Sequence, residues 1–462
     1  MKNHITKTCL IFLMIVLSLR QGVTDYALIS TPKEKTLGNE ILRQISYQTP
    51  IYRDLVWNAY LEKLGNYLVS YSSKPTTEID FYIAKSDQIN AFALPGNIIV
   101  INSALILKTD NEAQLAAVLS HEIAHVIQKH FQRMYEQYTQ QLAINAAAVI
   151  ASILVGGAIS PEAAQAGVLG SMAATSQTLI GYTRAHEYEA DRIGNQTLFR
   201  AGYPNSAMSE FLAHLPRSTY HKAIEPLLTH PVVEKRQAET ITLNRLQGKD
   251  YIISSYQDYQ LLKIKLAVSV TDNIQAELKL TKSNQNLTKL ERYYKLGLLA
   301  LLDKENTQAQ NYLAKAWHGS NHNLIVGLAY LEALILSKSY PKAESIAAIL
   351  KSQYPLSLAL DFEYVDYLIA SNQLDKARWC LYDLISHNPH QYRGYQKLAL
   401  VYDQLGEVGL MHFYLSESYY YQGKFAYALS QLKLAKSYLP EASRYYKEAQ
   451  VKEEKLKSLL LQ

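Results

Sequence analysis

Cysteine is almost absent from this sequence, which holds only Cys9 and Cys380 in 462 residues. Cys9 lies in an N-terminal segment with the composition of an export signal, so the mature chain would keep Cys380 alone and could form no intrachain disulfide. We therefore expect stability to come from packing. Cys380 stands in an apolar helical stripe, which predicts a buried small side chain and not a nucleophile.

An excess of charge of one sign is also missing, since 46 lysines and arginines against 41 acidic residues give a formal charge of +5. This balance excludes a domain-wide basic surface, and we expect no nucleic-acid partner. Charged residues make up only 19% and hydrophobic residues 48%, which excludes long disordered tracts. Tyrosine is abundant instead, with 36 residues, and favours surfaces where the ring packs and the hydroxyl stays hydrated.

Residues 1–24 have the composition of a secretory signal peptide. Basic Lys2 and Lys7 precede an apolar run from Cys9 to Leu17, and a more polar stretch with Arg20 follows. An uncleaved N-terminal anchor is the alternative, although the apolar run is short for a membrane span. Both alternatives predict export. No cysteine follows the apolar run where a lipoprotein would need one.

The sequence changes character near Gly248 and Lys249. Residues 25–249 mix helical and strand patterns, whereas residues 250–462 carry little glycine and place apolar residues at helical spacing. We therefore predict a mixed helix-and-strand domain over residues 25–249, followed by an all-helical domain over residues 250–462.

A period of 34 residues runs through the second domain. Pro355 and Pro389 are 34 residues apart, and the same spacing separates three alanines, Ala309, Ala343 and Ala377. A small residue at a helix crossing, with proline after the second helix, is typical of the tetratricopeptide repeat. An irregular helical bundle is the alternative. Such repeats bind proteins or peptides and carry no chemistry, and Met411 stands where the next alanine is due, so we expect a distortion there.

The residues able to support catalysis lie in the first domain, in the segment HEIAH at residues 121–125. A capping signal at Thr109 to Glu112 predicts a helix that begins near Asp110, which places His121 and His125 on one face, one turn apart. Two imidazoles so placed can bind one zinc ion, and Glu122 between them can take a proton from water and return it to a leaving amine. A pair of histidines on a solvated helix face is the alternative.

A catalytic zinc ion needs a third protein ligand and one open position. The segment TRAHEYEAD at residues 183–191 offers Glu187 and Asp191, which lie one helical turn apart. One carboxylate could bind the ion while the other orients an imidazole. Taken alone, the segment could equally be a solvated acidic helix face.

HEIAH, TRAHEYEAD and the upstream stretch NAFALPG at residues 90–96 together resemble the M48 (Ste24/HtpX-like) zinc metallopeptidases. The resemblance implies an α+β zincin-like domain, mostly helical with a small sheet, ahead of an all-α tetratricopeptide-repeat solenoid. It implies that Glu187 is the third ligand of one Zn²⁺ per chain, that Asp191 is a proton donor or an orienting residue, and that Glu189 has no role. Arg184 matches an arginine of the family pattern and would have a structural or substrate-binding role.

Three further expectations concern the surroundings of the site. By the resemblance, His230 would occupy the fourth zinc position and hold the enzyme inactive, whereas the sequence alone describes a loop histidine before Pro231. Residues 97–107 predict a buried strand, either an ordinary core strand or one that borders the cleft and pairs with extended substrate. The uncharged residues 141–161 and the weakly polar stretch to residue 180 form either a helical hairpin over the site or membrane spans.

The resemblance extends to members with an export signal and C-terminal repeats, and it implies a periplasmic endopeptidase with chaperone-like activity in the quality control of outer-membrane proteins. Its expected partners are unfolded or misassembled outer-membrane proteins and the barrel-assembly machinery, held by the repeat domain, with contact to a membrane surface. A repeat scaffold with a latent zinc site and a membrane-embedded protease are the alternatives.

Overall fold

The computed structural model describes residues 31–139, 169–213 and 256–460. The chain divides into two compact units between Val270 and Thr271. Residues 1–24, which the sequence predicts to be an export signal, residues 140–168 and His230 lie outside the described residues. Within the described part of the chain, no helix is both long and apolar enough to cross a membrane.

The first unit combines helices with one small sheet. Its elements, in chain order, are α1 (Thr31–Gln48), β1 (Ile51–Tyr52), α2 (Leu55–Ser70), β2 (Asp80–Ala84), β3 (Ala91–Leu94), β4 (Ile98–Asn102), α3 (Ser103–Lys108), α4 (Glu112–Ile127), α5 (His130–Thr139), α6 (Leu169–Arg200), α7 (Ala207–Ala213) and α8 (Tyr256–Ser269).

The sheet has the strand order β1-β2-β4-β3. β2 and β4 run parallel, and the other two pairings are antiparallel. All five residues of β4 are buried, as expected for the strand predicted here. The predicted range 97–107 is too long, because the chain turns into α3 at Ser103. β4 also has a neighbour on each side, so within this sheet an extended substrate could pair only with an edge strand such as β3.

Helix α4 begins two residues later than the sequence predicts. Asn111 is its N-cap and accepts a hydrogen bond from the backbone N–H of Gln114, whose side-chain oxygen accepts from the N–H of Asp110. These reciprocal bonds satisfy donors that the first turn leaves open. The first residue, Glu112, is buried and accepts hydrogen bonds from two tyrosine hydroxyls, Tyr60 at 2.7 Å and Tyr203 at 2.6 Å. The start of the helix is therefore held by the core.

Helix α8 belongs to the first unit, although the sequence assigns it to the second domain. The indole N–H of Trp57 donates to the carbonyl of Leu262 at 2.9 Å, and both residues are buried. Lys265 and Asp54 form an ion pair at 2.8 Å. The structural division consequently falls after Val270 and not near Gly248 and Lys249, because a helical pattern does not reveal which core the helix packs against.

The second unit is entirely helical in its described residues. Its elements are α9 (Ile274–Ser283), α10 (Lys289–Leu302), α11 (Asn306–Gly319), α12 (Leu324–Leu336), α13 (Tyr340–Gln353), α14 (Leu358–Ala370), α15 (Leu374–His387), α16 (Tyr392–Gln404), α17 (Val408–Tyr421), α18 (Phe425–Tyr438) and α19 (Arg444–Leu460).

The 34-residue period appears directly in this unit, since α11, α13, α15 and α17 begin at positions 306, 340, 374 and 408. The three periodic alanines have no exposed surface, as small residues at helix crossings should. In α17 the position in register is Met411, and a small residue stands two positions earlier, at Gly409, where an added Cβ atom would lie 2.8 Å from a side-chain carbon of Leu439. The predicted fold class, an α+β domain followed by a helical repeat solenoid, is confirmed.

Two side-chain expectations are refined in the second unit. Cys380 is half-buried on α15, and burial raises the pKa of its thiol, so it remains protonated and is not an activated nucleophile. The tyrosines do not simply face solvent. The hydroxyl of Tyr414 lies 3.3 Å from the hydroxyls of Tyr382 and Tyr445, within hydrogen-bond distance of each, so part of the tyrosine surplus forms internal contacts between repeats.

Candidate metal centre

Helix α4 presents its two motif histidines toward the same point. The Nε2 atoms of His121 and His125 are 3.1 Å apart, and their ring centroids are 4.8 Å apart. His121 is buried, and the side chain of His125 is only 11% exposed. Glu122, between them in sequence, is also buried. The pair of surface histidines considered from the sequence is therefore excluded.

Helix α6 brings Glu187 to the same point. One carboxylate oxygen of Glu187 lies 3.4 Å from His121 Nε2, and the other lies 3.4 Å from His125 Nε2. Together these three residues offer ligand atoms that all lie within 4.8 Å of one another. A tetrahedral ion with bonds of about 2.0–2.1 Å needs neighbouring ligand atoms about 3.3 Å apart. The spacing of this group fits such an ion.

The close approach of α6 to α4 depends on Gly194. A Cβ atom at this position would lie 3.0 Å from the Cα and backbone nitrogen of His121 and from the carbonyl oxygen of Ser120. Glu187, Asp191 and Gly194 are spaced by four and three residues, so they share one face of α6. That face lies against α4, which directs both carboxylates at the histidines.

Asp191 lies behind His121 as seen from the centre of the site. Its Oδ1 is 3.0 Å from Nδ1 of His121, so it accepts the Nδ1–H hydrogen bond and leaves Nε2 facing Glu187 and His125. Burial by itself would lower the pKa of His121, but Asp191 and Glu187 outweigh it and raise that pKa to about 10. The site thus favours a positive charge between these groups, which a metal ion or a proton can supply.

The sequence also predicts roles for Arg184 and His230. Arg184 lies on α6, one turn before Glu187. His230, the predicted fourth ligand, lies in the part of the chain that the structure does not describe, and its role stays a prediction.

A second group of side chains, behind His125, was not found from the sequence. Nδ1 of His130 lies 2.8 Å from Nδ1 of His125, and Nε2 of His130 lies 3.2 Å from Oε2 of Glu189. Arg133 donates to the same oxygen of Glu189 at 2.8 Å. Burial lowers the pKa of His130 to about 4, and the hydrogen bond from Arg133 lowers that of Glu189. Glu189, which the resemblance leaves without a role, is therefore connected to the centre.

The backbone explains why this second group escapes a helix-face argument. α4 ends at Ile127, and Lys129 has a φ of 54°, in the left-handed region that non-glycine residues seldom adopt. The turn brings His130 back against His125. The only sequence signal is a third histidine five residues after the second, and its meaning depends on that turn.

Comparison with known proteins matches part of the chain to a family profile. Residues 57–242 match the sequence profile of Peptidase family M48. Within this range lie HEIAH, Glu187 and Asp191. His130 and Glu189 lie within it as well.

Three similar proteins that are named as proteases show how much of the chain has known relatives. One from Yersinia pestis, "Beta-barrel assembly-enhancing protease", is 38% identical over 248 residues, which is 53% of this chain and 50% of the relative. The protein of the same name from Escherichia coli (strain K12) is 36% identical over 247 residues, again 53% of this chain and 50% of the relative. "Metalloprotease LoiP" of Escherichia coli is 25% identical over 210 residues, covering 45% of this chain and 79% of that protein. The chain thus spans about half the length of the first two relatives.

Proposed function

Because residues 57–242 of this chain match the profile of Peptidase family M48, we propose that the protein is a zinc-dependent endopeptidase that is exported to the periplasm. The observation that carries the proposal is the meeting of His121 Nε2, His125 Nε2 and the Glu187 carboxylate at 3.1–3.4 Å from one another. Two imidazoles and one carboxylate are the ligand set of many catalytic zinc sites, which keep the fourth position open for water or substrate.

In this proposal His121, His125 and Glu187 hold one Zn²⁺. When bound, the ion supplies Lewis acidity to a water molecule and to the scissile carbonyl. Glu122 follows His121 on α4 and is buried; in this proposal it would take a proton from the attacking water and donate it to the leaving amine. Asp191 holds the His121 ring through Nδ1, so its contact supports the orienting role over that of proton donor.

We further propose that the protein acts in the quality control and assembly of outer-membrane proteins, with chaperone-like handling of unfolded or misassembled clients. The names of the Yersinia pestis and Escherichia coli relatives support this assignment. In the proposal, the helical repeats bind clients and the barrel-assembly machinery and contribute no catalytic group.

A pair of measurements on Glu122→Gln tests the peptidase proposal. Since Glu122 is proposed to move a proton and not to bind the ion, the variant should keep the zinc content of the wild type. Its rate of casein or peptide hydrolysis should fall by about 10²–10⁴-fold. Hydrolysis near the wild-type rate at equal zinc content would exclude Glu122 as the base.

A regulatory role for His230 is a separate proposal, supported by the resemblance of Thr229, His230, Pro231 and Arg236 to a pattern of the M48 peptidases. If His230 fills the fourth zinc position at rest, His230→Ala should raise basal proteolysis while zinc stays bound by three ligands. Loss of peptide hydrolysis at full zinc occupancy would instead indicate that His230 stabilises the transition state.

A further inference from the structure

Each motif histidine has a partner at the ring nitrogen that faces away from the centre. For His121 the partner is the carboxylate of Asp191, 3.0 Å from Nδ1. For His125 it is the imidazole of His130, 2.8 Å from Nδ1. His130 in turn reaches Glu189, to which Arg133 also donates. A line of contacts thus runs from His125 to a carboxylate on α6.

The chemistry of the donors fixes the direction of these hydrogen bonds. Ionised Glu189 can only accept, so His130 donates to it through Nε2–H. A neutral His130 then has its lone pair on Nδ1 and accepts the Nδ1–H of His125. His125 consequently carries its proton on Nδ1 and presents the Nε2 lone pair to the centre, as a metal ligand must.

We propose that His130 and Glu189 are positioning residues that hold His125 in the tautomer and ring orientation needed to bind the metal ion. This inference rests on the proposed zinc site and adds to it a support for His125 equivalent to the one that Asp191 gives His121. His130 and Glu189 touch neither the ion nor the substrate in this proposal.

The packing around His130 suits a fixed support. Its side chain is 5% exposed, and its ring stacks on that of His186 with centroids 4.2 Å apart and planes 11° apart. His186 precedes the ligand Glu187 on α6, so one short segment of that helix holds both the ring of His130 and the carboxylate between the motif histidines. The ion pair of Glu189 with Arg133, a residue of α5, fixes the outer end.

The test measures the zinc dissociation constant of the purified full-length protein by competition with a chromophoric chelator, without reference to catalysis. His130→Leu removes the acceptor for His125 Nδ1–H, and Glu189→Ala removes the acceptor for His130. Each should weaken zinc binding by about 10–100-fold. Glu210→Ala, an exposed acidic position on α7, is the matched control and should leave the constant unchanged.

The replacement of His130 by asparagine separates positioning from packing. The Oδ1 of asparagine can stand near the place of imidazole Nδ1 and accept from His125, whereas leucine fills the space without an acceptor. We expect zinc affinity to decrease from the wild type to His130→Asn and further to His130→Leu. If the leucine variant binds zinc as well as the wild type, or better than the asparagine variant, His130 has only a packing role and the inference is wrong.

The double variant His130→Leu/Glu189→Ala checks that both residues act through one line of contacts. It should bind zinc no more weakly than His130→Leu alone, because Glu189 acts only through His130. If the losses in zinc affinity of the two single variants multiply in the double variant, the two residues act independently and the inference of one line of contacts is wrong. Failure of the zinc site itself is recognised separately, since the wild type would then bind no zinc, or Glu187→Ala would bind it as tightly as the wild type.

Discussion

At the scale of single residues, the two carboxylates at the centre have different contacts. Glu187 lies 3.4 Å from both Nε2 atoms, whereas Asp191 contacts the far side of His121. His121→Ala, His125→Ala and Glu187→Ala should therefore each remove a ligand and leave less than one zinc per chain after dialysis. Asp191→Asn keeps all three ligands and should lose only about 10–100-fold in affinity. Metal analysis and chelator competition distinguish these outcomes, and full zinc content in Glu187→Ala would disprove its role as ligand.

At the scale of elements, the centre depends on the distance between α4 and α6. A methyl group at Gly194 would stand 3.0 Å from backbone atoms of His121 and Ser120, which cannot move aside as a side-chain end can. Gly194→Ala should cost about 1–3 kcal/mol of stability and weaken zinc binding. Gly319→Ala is the matched control, because an added Cβ there meets nothing within 4 Å. Calorimetry and zinc titration check both; unchanged zinc affinity in Gly194→Ala would show that the crossing does not position the ligands.

At the scale of the whole molecule, the position of α8 decides where the chain can be divided. A chain that ends at Val270 keeps α8, with its contacts to Trp57 and Asp54. It should fold, bind zinc and cleave short peptides, but degrade protein clients much more slowly than the full chain if the repeats capture them. A chain that ends at Lys249 exposes Trp57 and should unfold at lower temperature. Equal thermal stability of the two truncated chains would contradict these expectations. Equal client degradation by the full chain and by the chain that ends at Val270 would contradict them as well.

The sequence by itself determined the features that depend on neighbours within a turn or on a repeated length. The face of α4 that carries His121 and His125 follows from helical geometry, and the 34-residue period indicates the repeats in the second unit. The third ligand could be selected only by combining the acidic segment with a family resemblance, because the segment alone is equally compatible with a solvated helix face.

Tertiary structure alone decided the contacts between residues distant in sequence. Gly194 permits α6 to approach α4, and the left-handed Lys129 returns His130 to His125, where Glu189 meets it. Because position 129 is a lysine and not a glycine, the sequence does not indicate its left-handed backbone conformation. The helix α8 packs where it does because of the apolar surface that the rest of the first unit offers. Helical periodicity shows which side of a helix is buried, but the complementary shape and charge of another element decide what it is buried against.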